Sequence, residues 1–551
     1  MHTKPSVTWR LLGLEAAIGE PEAALLERAV RRAGFAPEQV RGARVAHRGL
    51  DARRRGGERR LRHVCHVDLV VDAGPAPTAL RRLERSGKAR LAPARGSLLL
   101  ERSAPELARG RRAVVVGSGP AGLFGALALA VNGVAVTLVE RGPRVDRRGR
   151  RVAGFHRSGT VDPEGNLLFG EGGAGTYSDG KIYTRVDDPL EVPLLEELVA
   201  CGAPPEILYD SLAHIGTDRL HRILPAFRAR LEGLGVRLCF DTRFEGLVVD
   251  PGRPEVVRAV ATSAGEIACD ALLLAVGHSA RDTWSMLAEA GVRFEAKPFQ
   301  LGLRIEHPQQ LIDRGRYGDP DASESRLLGA ASYNLVCRAG DGVAAAHSFC
   351  MCPGGRIVAA VNEPGHLCTN GMSNSKHSSQ WASAGLVTTF GPADFGPGAF
   401  AGVDFQRALE RSFFEAGGGD FTAPAQSAAD FLAGRDSADL RRSTYPFGTV
   451  PGRLDRLLPA RARDAIARAL IAFDRSIPGY AGPEGQFVGL ESRSSGPLRM
   501  PRDRVTHRAV GFANLLPVGE GAGWAGGIMS AALDGAHAAL ALLTTGEVPS
   551  C

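Results

Sequence analysis

An α/β fold organised around a buried sheet is predicted by three observations. An apolar run at 113–116 stops at Gly117-Ser118-Gly119-Pro120-Ala121-Gly122, and Leu123, Ala126, Leu127 and Ala130 then recur at helical spacing. A β-branched run at 134–139 closes on Glu140. Two more buried runs, 271–276 and 515–518, each end in small residues, and a helix follows the second from Ile528 onward. Strand, glycine turn, helix and strand make the βαβ unit of a Rossmann-like domain.

The residues of that unit have separate tasks. Gly117 allows the tight turn, Gly119 lets backbone approach a pyrophosphate, and Gly122 lets helix and strand pack closely. The helix opening at Pro120 and Ala121 offers unpaired N–H groups and a positive dipole end to that diphosphate. Glu140, roughly 20 residues further on, is placed to accept hydrogen bonds from an adenosine ribose. Arg141 and Arg148 follow it and can lie along the diphosphate or adenosine side, with surface solvation as the alternative. The unit therefore specifies a dinucleotide, without choosing between NAD and FAD.

Composition narrows the classes. A chain of 551 residues has room for roughly three or four modules. Its net charge of +7 is carried mostly by arginine in an Arg/Ala/Gly-rich sequence, which reads as coding bias and not as a nucleic-acid site. The nine cysteines include no C-x-x-C pair or zinc-like spacing, so reduced thiols and no metal centre are expected. The first residues, MHTKPSVTWR, carry no apolar signal core, and no 18-residue apolar span occurs. A cytoplasmic protein with no membrane or nucleic-acid partner is the expectation. Oligomeric state stays open.

Residues 1–100 read as a small α/β module of ferredoxin-like type with a connector. A strand is expected at 7–14 and a helix at 21–33, with Leu26, Ala29, Val30 and Ala33 on one face and Gly34 as its stop. Strands follow at 41–47 and 61–71, where Cys65, Val67, Leu69 and Val71 alternate with His66 and Asp68. Between them ARRRGGERR reads as a solvated hairpin tip around Gly56-Gly57, and a short helix is expected at 78–86.

The first part of the nucleotide-binding domain spans 111–283. Within it lies NLLFGEGGAGTYSDGKIYTR, residues 166–185. Gly170 to Gly175 formally fit GxGxxG, but no apolar-periodic helix follows. Gly172, Gly173, Ala174 and Ser178 instead suit a loop whose backbone touches a flat ring, with Lys181 as a charge beside it. Next to a flavin that lysine would stabilise the anionic reduced ring; an exposed lysine is the alternative. A helix at 217–232 groups Leu220, Ile223, Leu224, Phe227 and Leu231 on one face, and strands at 236–240, 244–249 and 256–262 read as a β-meander.

Residues 284–485 are expected to form an inserted α+β substrate domain. In KPFQLGLRIEH a strand would put Arg304 and Glu306 on one face and His307 on the other. Arg304 is a candidate clamp for an anionic substrate and His307 a candidate acid or base, against an ion pair and a structural histidine. Cys350-Met351-Cys352-Pro353-Gly354-Gly355 suggests a dithiol. C-x-C is strained for a disulfide and lacks an activating helix N-terminus, so packing under the turn is expected.

Residues 486–545 return to the cofactor. Arg493 precedes the strand at 515–518, and the helix after Gly526 and Gly527, beginning at Ile528 and Met529, would aim its positive end at the pyrimidine edge of a flavin.

This order (βαβ, helix, meander, strand ending in a small-residue turn) resembles the glutathione-reductase-like FAD superfamily. The resemblance implies that the meander, from Phe244, covers the adenosine side and that Ala275-Val276-Gly277 closes the sheet near the cofactor. It also implies that Gly519-Glu520 holds the ribityl and phosphate portion, with Glu520 standing where aspartate is usual. A closer resemblance is to a group of bacterial FAD-dependent dehydrogenases, through FGEGGAGTYSDGK, HIGTDRL, GHSARDT, KPFQLGLRIEHP, SFCMCPGG, NGMS, ESRSSGPLRMPRD and GEGAGWAGGIMSAALDG. It covers nearly the whole chain and implies no particular substrate.

FAD is accordingly the expected cofactor. A nicotinamide dehydrogenase has no need of the second glycine-rich strand–turn–helix, and no second nucleotide unit marks a dedicated NADPH domain. The expected activity is that of a FAD-dependent oxidoreductase exchanging hydride between flavin N5 and a small molecule. Lys181, Arg304, His307 and Arg493 are its candidate catalytic residues, and NADH or NADPH is a candidate transient electron donor. The alternatives are a flavin-dependent monooxygenase and a non-catalytic flavin-bearing binding or redox-sensing protein.

Overall fold

Cys65, Val67, Leu69 and Val71 are all buried along the strand Arg62–Asp72, as the two-residue period of a half-buried strand demands. The computed structural model describes residues 5–55, 58–92, 110–183 and 188–544. The hairpin tip at Gly56-Gly57, residues 93–109 of the expected connector and residues 184–187 lie outside them.

The chain divides into two units. The first is built on an antiparallel sheet in the order Val40–Asp51, Arg62–Asp72, Ser6–Ala17, Ala89–Leu91. Helices Glu22–Ala33 and Thr78–Arg85 contribute Leu25, Ala29, Ala33 and Leu80 to its core. The succession βαββαβ in this order is the ferredoxin-like arrangement. Gly34, at φ 79°, ends the first helix in the left-handed conformation that its lack of a Cβ permits. Segments 204–213 and 316–331 belong to this unit, and Asp210 takes a two-bond pair from Arg48 at 2.7 and 3.0 Å.

In the second unit five parallel strands run in the order Leu515–Pro517, Ala271–Leu274, Arg112–Val116, Ala135–Val139, Arg237–Cys239. The last corrects the expected meander. The helix Thr217–Gly233 carries the chain across the sheet, so the strand after it returns parallel to its neighbours. The antiparallel meander is instead Phe244–Asp250, Arg253–Thr262 and Gly265–Ala268.

A seven-stranded sheet is centred on Phe299–Pro308, which pairs with Trp381–Phe390 on one side and Gln486–Glu491 on the other. Gln486–Glu491 was expected with the C-terminal cofactor segment. Its apolar residues are buried as an interior strand of this second sheet, so that sheet extends past 485.

Chain ends far apart in sequence meet where helix Ile528–Thr544 packs on helix Pro120–Val131. The contact needs glycine: a Cβ on Gly535 would stand 2.9 Å from the Ala121 Cα, and one on Gly519 would stand 2.8 Å from the Ala121 Cβ. The early and late glycine turns thus come to the same edge of the parallel sheet. No described helix is long and apolar enough to cross a membrane.

Candidate functional site

At that edge lies a cavity of about 620 Å³, outside the carboxyl ends of the strands where open parallel sheets bind ligands. Gly117, Gly119, Pro120 and Ala121 line it from the first turn, and Ala275 and Gly277 from the neighbouring strand end. Gly173, Ala174, Ser178 and Lys181 supply a second wall, with Phe244 on the meander side. Gly519, Glu520, Gly526, Gly527, Ile528 and Met529 close it from the C-terminal turn. Two helix N-termini, at Pro120 and Ile528, therefore open on one space, each a place for negative charge.

The glycines divide by what a side chain there would meet. At Gly277 and Gly526 an added Cβ meets nothing within 4 Å, and at Gly119 only the Gly173 Cα at 3.9 Å. All three line the cavity, so the space their missing side chains leave is open cavity. Gly117 and Gly122 differ. A Cβ on Gly117 would lie 2.9 Å from the Ala275 carbonyl carbon, and one on Gly122 would lie 3.0 Å from that of Gly117. Gly122 does not line the cavity; it lets the helix start against its own strand.

Glu140 is on the wall, yet its carboxylate is engaged by the protein. One oxygen accepts from the Ser118 amide at 2.8 Å and its hydroxyl at 2.7 Å. The other accepts from the amides of Gly142 at 2.8 Å and Gly170 at 3.0 Å. A carboxylate has about four lone-pair directions, and these donors account for them. The carboxylate expected to face a ribose also clasps the first glycine turn to the second glycine loop.

Arg148 departs from expectation. It is fully buried beneath the loop and donates to the carbonyls of Asn166, Glu171 and Gly173 at 2.8–2.9 Å. Burial pulls its pKa down to about 10, which leaves it charged at neutral pH. The sequence offers it to the cofactor side; the fold uses it to hold the loop through those carbonyls. Gly172 also faces inward, its amide bonded to the Ser118 carbonyl at 2.9 Å. Arg141 does reach the cavity, stacked 4.4 Å over Phe169 and paired with Glu164 and Asp282.

Of the four catalytic candidates, Lys181 and Arg493 line the cavity. Lys181 pairs with Asp179 and donates to the Met351 carbonyl. Burial opposes its charge, but the adjacent Asp179 carboxylate outweighs this and raises its pKa. Burial likewise opposes ionisation of Asp179, and Lys181, His377 and Ser373 outweigh it. Arg493 grips Glu410 at 3.0 and 2.8 Å, and Arg281 grips the same carboxylate at 2.9 Å.

Arg304 and His307 are corrections: neither is on the cavity wall. Arg304 is fully buried, pairs with Glu491 at 3.1 Å and donates to the Cys350 carbonyl at 2.8 Å. His307 lies on the opposite strand face, bonded to the Tyr480 carbonyl at 2.8 Å, and burial lowers its pKa to about 4. A base that is neutral at working pH and enclosed away from the cavity is a packing group.

Sequence reasoning passed over Asp179, His278, Tyr333 and Asn370, which also line the cavity, and took Cys350 for a core residue. Asp179 was legible beside Lys181 in SDGK. Asn370 opens the motif NGMS, which carries the resemblance but announces no chemistry of its own, and Tyr333 stands in a stretch without a local signal. Cys350 is half-buried on the cavity wall, and only Cys352 is fully buried.

This fold and site define a FAD-binding oxidoreductase. Residues 298–494 match the family described as "FAD-dependent protein, C-terminal domain-like". An uncharacterized protein of Clostridium beijerinckii is 40% identical over 441 residues, spanning 80% of this chain and 82% of that protein. The chain belongs to the same family of FAD-dependent oxidoreductases, and FAD is its cofactor. A glycine oxidase of Pseudomonas aeruginosa is 29% identical over 271 residues, covering 40% of this chain and 70% of that one. Among solved structures, L-proline dehydrogenase from P. horikoshii covers 80% of this chain and 95% of its own at 12% identity and a TM-score of 0.32.

Proposed function

We propose that the protein exchanges hydride between bound FAD and a small molecule entering the same cavity. The observation that carries the reading is the set of open glycine positions Gly119, Gly277 and Gly526 on a cavity reached by two helix N-termini. When bound, FAD supplies two-electron chemistry at N5. The chain's own residues orient and polarise. Gly119 and the helix start at Pro120 receive the diphosphate, and Glu140 and Arg148 keep the two glycine loops in place for it. Gly519 and Glu520 take the ribityl side, and the helix start at Ile528 and the ammonium of Lys181 set positive charge in the wall. Arg493 is a positioning residue, fixed by Glu410.

The likeness to a glycine oxidase raises an amino-acid substrate as a second reading. Among the described residues, the cavity's Arg141, Lys181, Arg243 and Arg493 all contact carboxylates of the protein. That gives a substrate carboxylate no cation of its own, and favours a neutral small molecule.

NADH and NADPH are the candidate electron donors, and rapid mixing of the yellow protein with each under argon tests the reading. Fast bleaching of the flavin band by either supports a reductase. Bleaching by a metabolite alone supports a dehydrogenase, and hydroxylated product with oxygen consumption would select a monooxygenase. No bleaching by any donor would overturn the hydride reading in favour of a flavin-bearing binding or sensing protein.

A further inference from the structure

We infer that Cys350 and Cys352 form a redox-active dithiol on the wall of the cofactor cavity, with Cys350 as the attacking sulfur and Cys352 as the resolving one. The inference goes beyond hydride exchange, since its chemistry passes between sulfur atoms.

The backbone carries the argument. In a regular strand, residues two apart are separated by about 6.6 Å, too far for easy contact between short side chains. Here Phe349 lies opposite Gly385 and Cys352 opposite Ser383, so one strand spends an extra residue that its partner does not. That is a β-bulge, a device that re-aims side chains beside functional sites. Cys350 sits in it at φ 41°, a left-handed conformation unusual for a residue with a Cβ. The two sulfurs come to 4.0 Å as a result, and rotation about the side-chain bonds can close that gap to the roughly 2 Å of a disulfide. The strain expected for C-x-C is thus met in advance by the backbone.

The surroundings are built around the pair. Arg304 donates to the Cys350 carbonyl at 2.8 Å and to the Cys352 sulfur at 3.4 Å, and Lys181 holds the intervening Met351 carbonyl. Gly371 leaves the room: a Cβ there would stand 2.9 Å from the Cys352 sulfur. The charged groups facing the thiols are Lys181 and Arg304 on one side of the balance and Asp179 and Glu491 on the other. The contact between the two sulfurs is the main influence that lowers the Cys350 pKa, to about 6, and the same contact with burial raises that of Cys352. These directions favour the thiolate, the form that attacks, on Cys350 and the protonated thiol on Cys352.

The step takes a small disulfide, R–S–S–R, as oxidant. The Cys350 thiolate attacks one sulfur, the substrate S–S bond breaks, and RS⁻ leaves with the bonding pair. The Cys352 sulfur then attacks that of Cys350, its proton passing to the second RS⁻ as that bond breaks. The dithiol loses two electrons, and the substrate gains them as one thiol and one thiolate, the latter taking its proton from water.

The test uses reduced, FAD-loaded protein treated with 2-hydroxyethyl disulfide, with peptides mapped by mass spectrometry. A Cys350–Cys352 cross-link is expected in the wild type. Cys352→Ser should trap one probe half on Cys350, and Cys350→Ser should give neither product. Alkylation of wild-type Cys350 by iodoacetamide should rise with a midpoint near 6, against about 8.5 for an ordinary cysteine. The flavin band, read in parallel, reports folding and cofactor separately. Wild-type protein that keeps its flavin yet forms no cross-link, or a Cys350 that alkylates with an ordinary midpoint, overturns the inference.

Discussion

The amide of Gly170 donates to the carboxylate of Glu140 at 3.0 Å, across 30 residues of chain. Because the same side chain also accepts from Ser118 and Gly142, one carboxylate sets the spacing of both glycine segments. Glu140→Ala would leave three buried amides without an acceptor, at about 1–3 kcal/mol each. The expected outcome is loss of the flavin band on purification and a lowered unfolding midpoint, with Glu140→Gln between mutant and wild type. Full FAD occupancy in the alanine variant would refute the clasp.

The two kinds of glycine should separate experimentally. Gly119→Val places atoms in ligand space, so the protein should fold with its denaturant midpoint little changed and lack FAD. Gly122→Ala pushes a methyl against the Gly117 carbonyl and should cost about 1–3 kcal/mol of stability. Equal effects on folding from both substitutions would contradict the division.

Glu410 neutralises two buried guanidinium groups, those of Arg281 and Arg493. Burial opposes its ionisation, and the two arginines overcome that opposition. Glu410→Ala strands the buried Arg493 charge and leaves Arg281 with the Glu363 carboxylate alone at 3.3 Å, and should cost about 3–5 kcal/mol, seen as a large drop in the denaturant midpoint. A loss below 1 kcal/mol would mean that water reaches the triad.

His307 gives a pH signature. Burial depresses its folded pKa to about 4 from an ordinary 6.5, so between those values the unfolded chain binds the extra proton. Stability from this group is complete above pH 6.5 and is lost as pH falls toward 4, at up to about 1.4 kcal/mol per pH unit. Chemical denaturation of wild type and His307→Asn across pH 4 to 7 should show a shallower slope in the variant. Identical slopes would place the acid sensitivity elsewhere.

The parts of the molecule that could be read in advance are those whose physics is local. The turn from Gly117 to Gly122, the amphipathic helix carrying Leu220, Ile223, Leu224, Phe227 and Leu231, and the alternation from Cys65 to Val71 each announce themselves within a dozen residues. The strand Arg237–Cys239 did not, because three residues look alike in a meander and at a parallel sheet edge, and only the pairing with Ala135–Val139 separates them. Arg304 and Arg148 failed for a related reason. An arginine in a sequence advertises a charge, and its partner is chosen by whatever carbonyls and carboxylates the fold brings near.

By itself, then, the order of residues settled that this chain builds a nucleotide turn, a ferredoxin-like module and a glycine-rich return to the cofactor, since backbone freedom and apolar period are properties of neighbours in sequence. Which glycines face the cavity and which face protein, that Glu140 binds its own loops, and that Cys350 turns toward the cavity on a bulge were decided in three dimensions. Those outcomes depend on atoms from strands and loops that lie far apart along the chain, and no local pattern encodes which of them will meet.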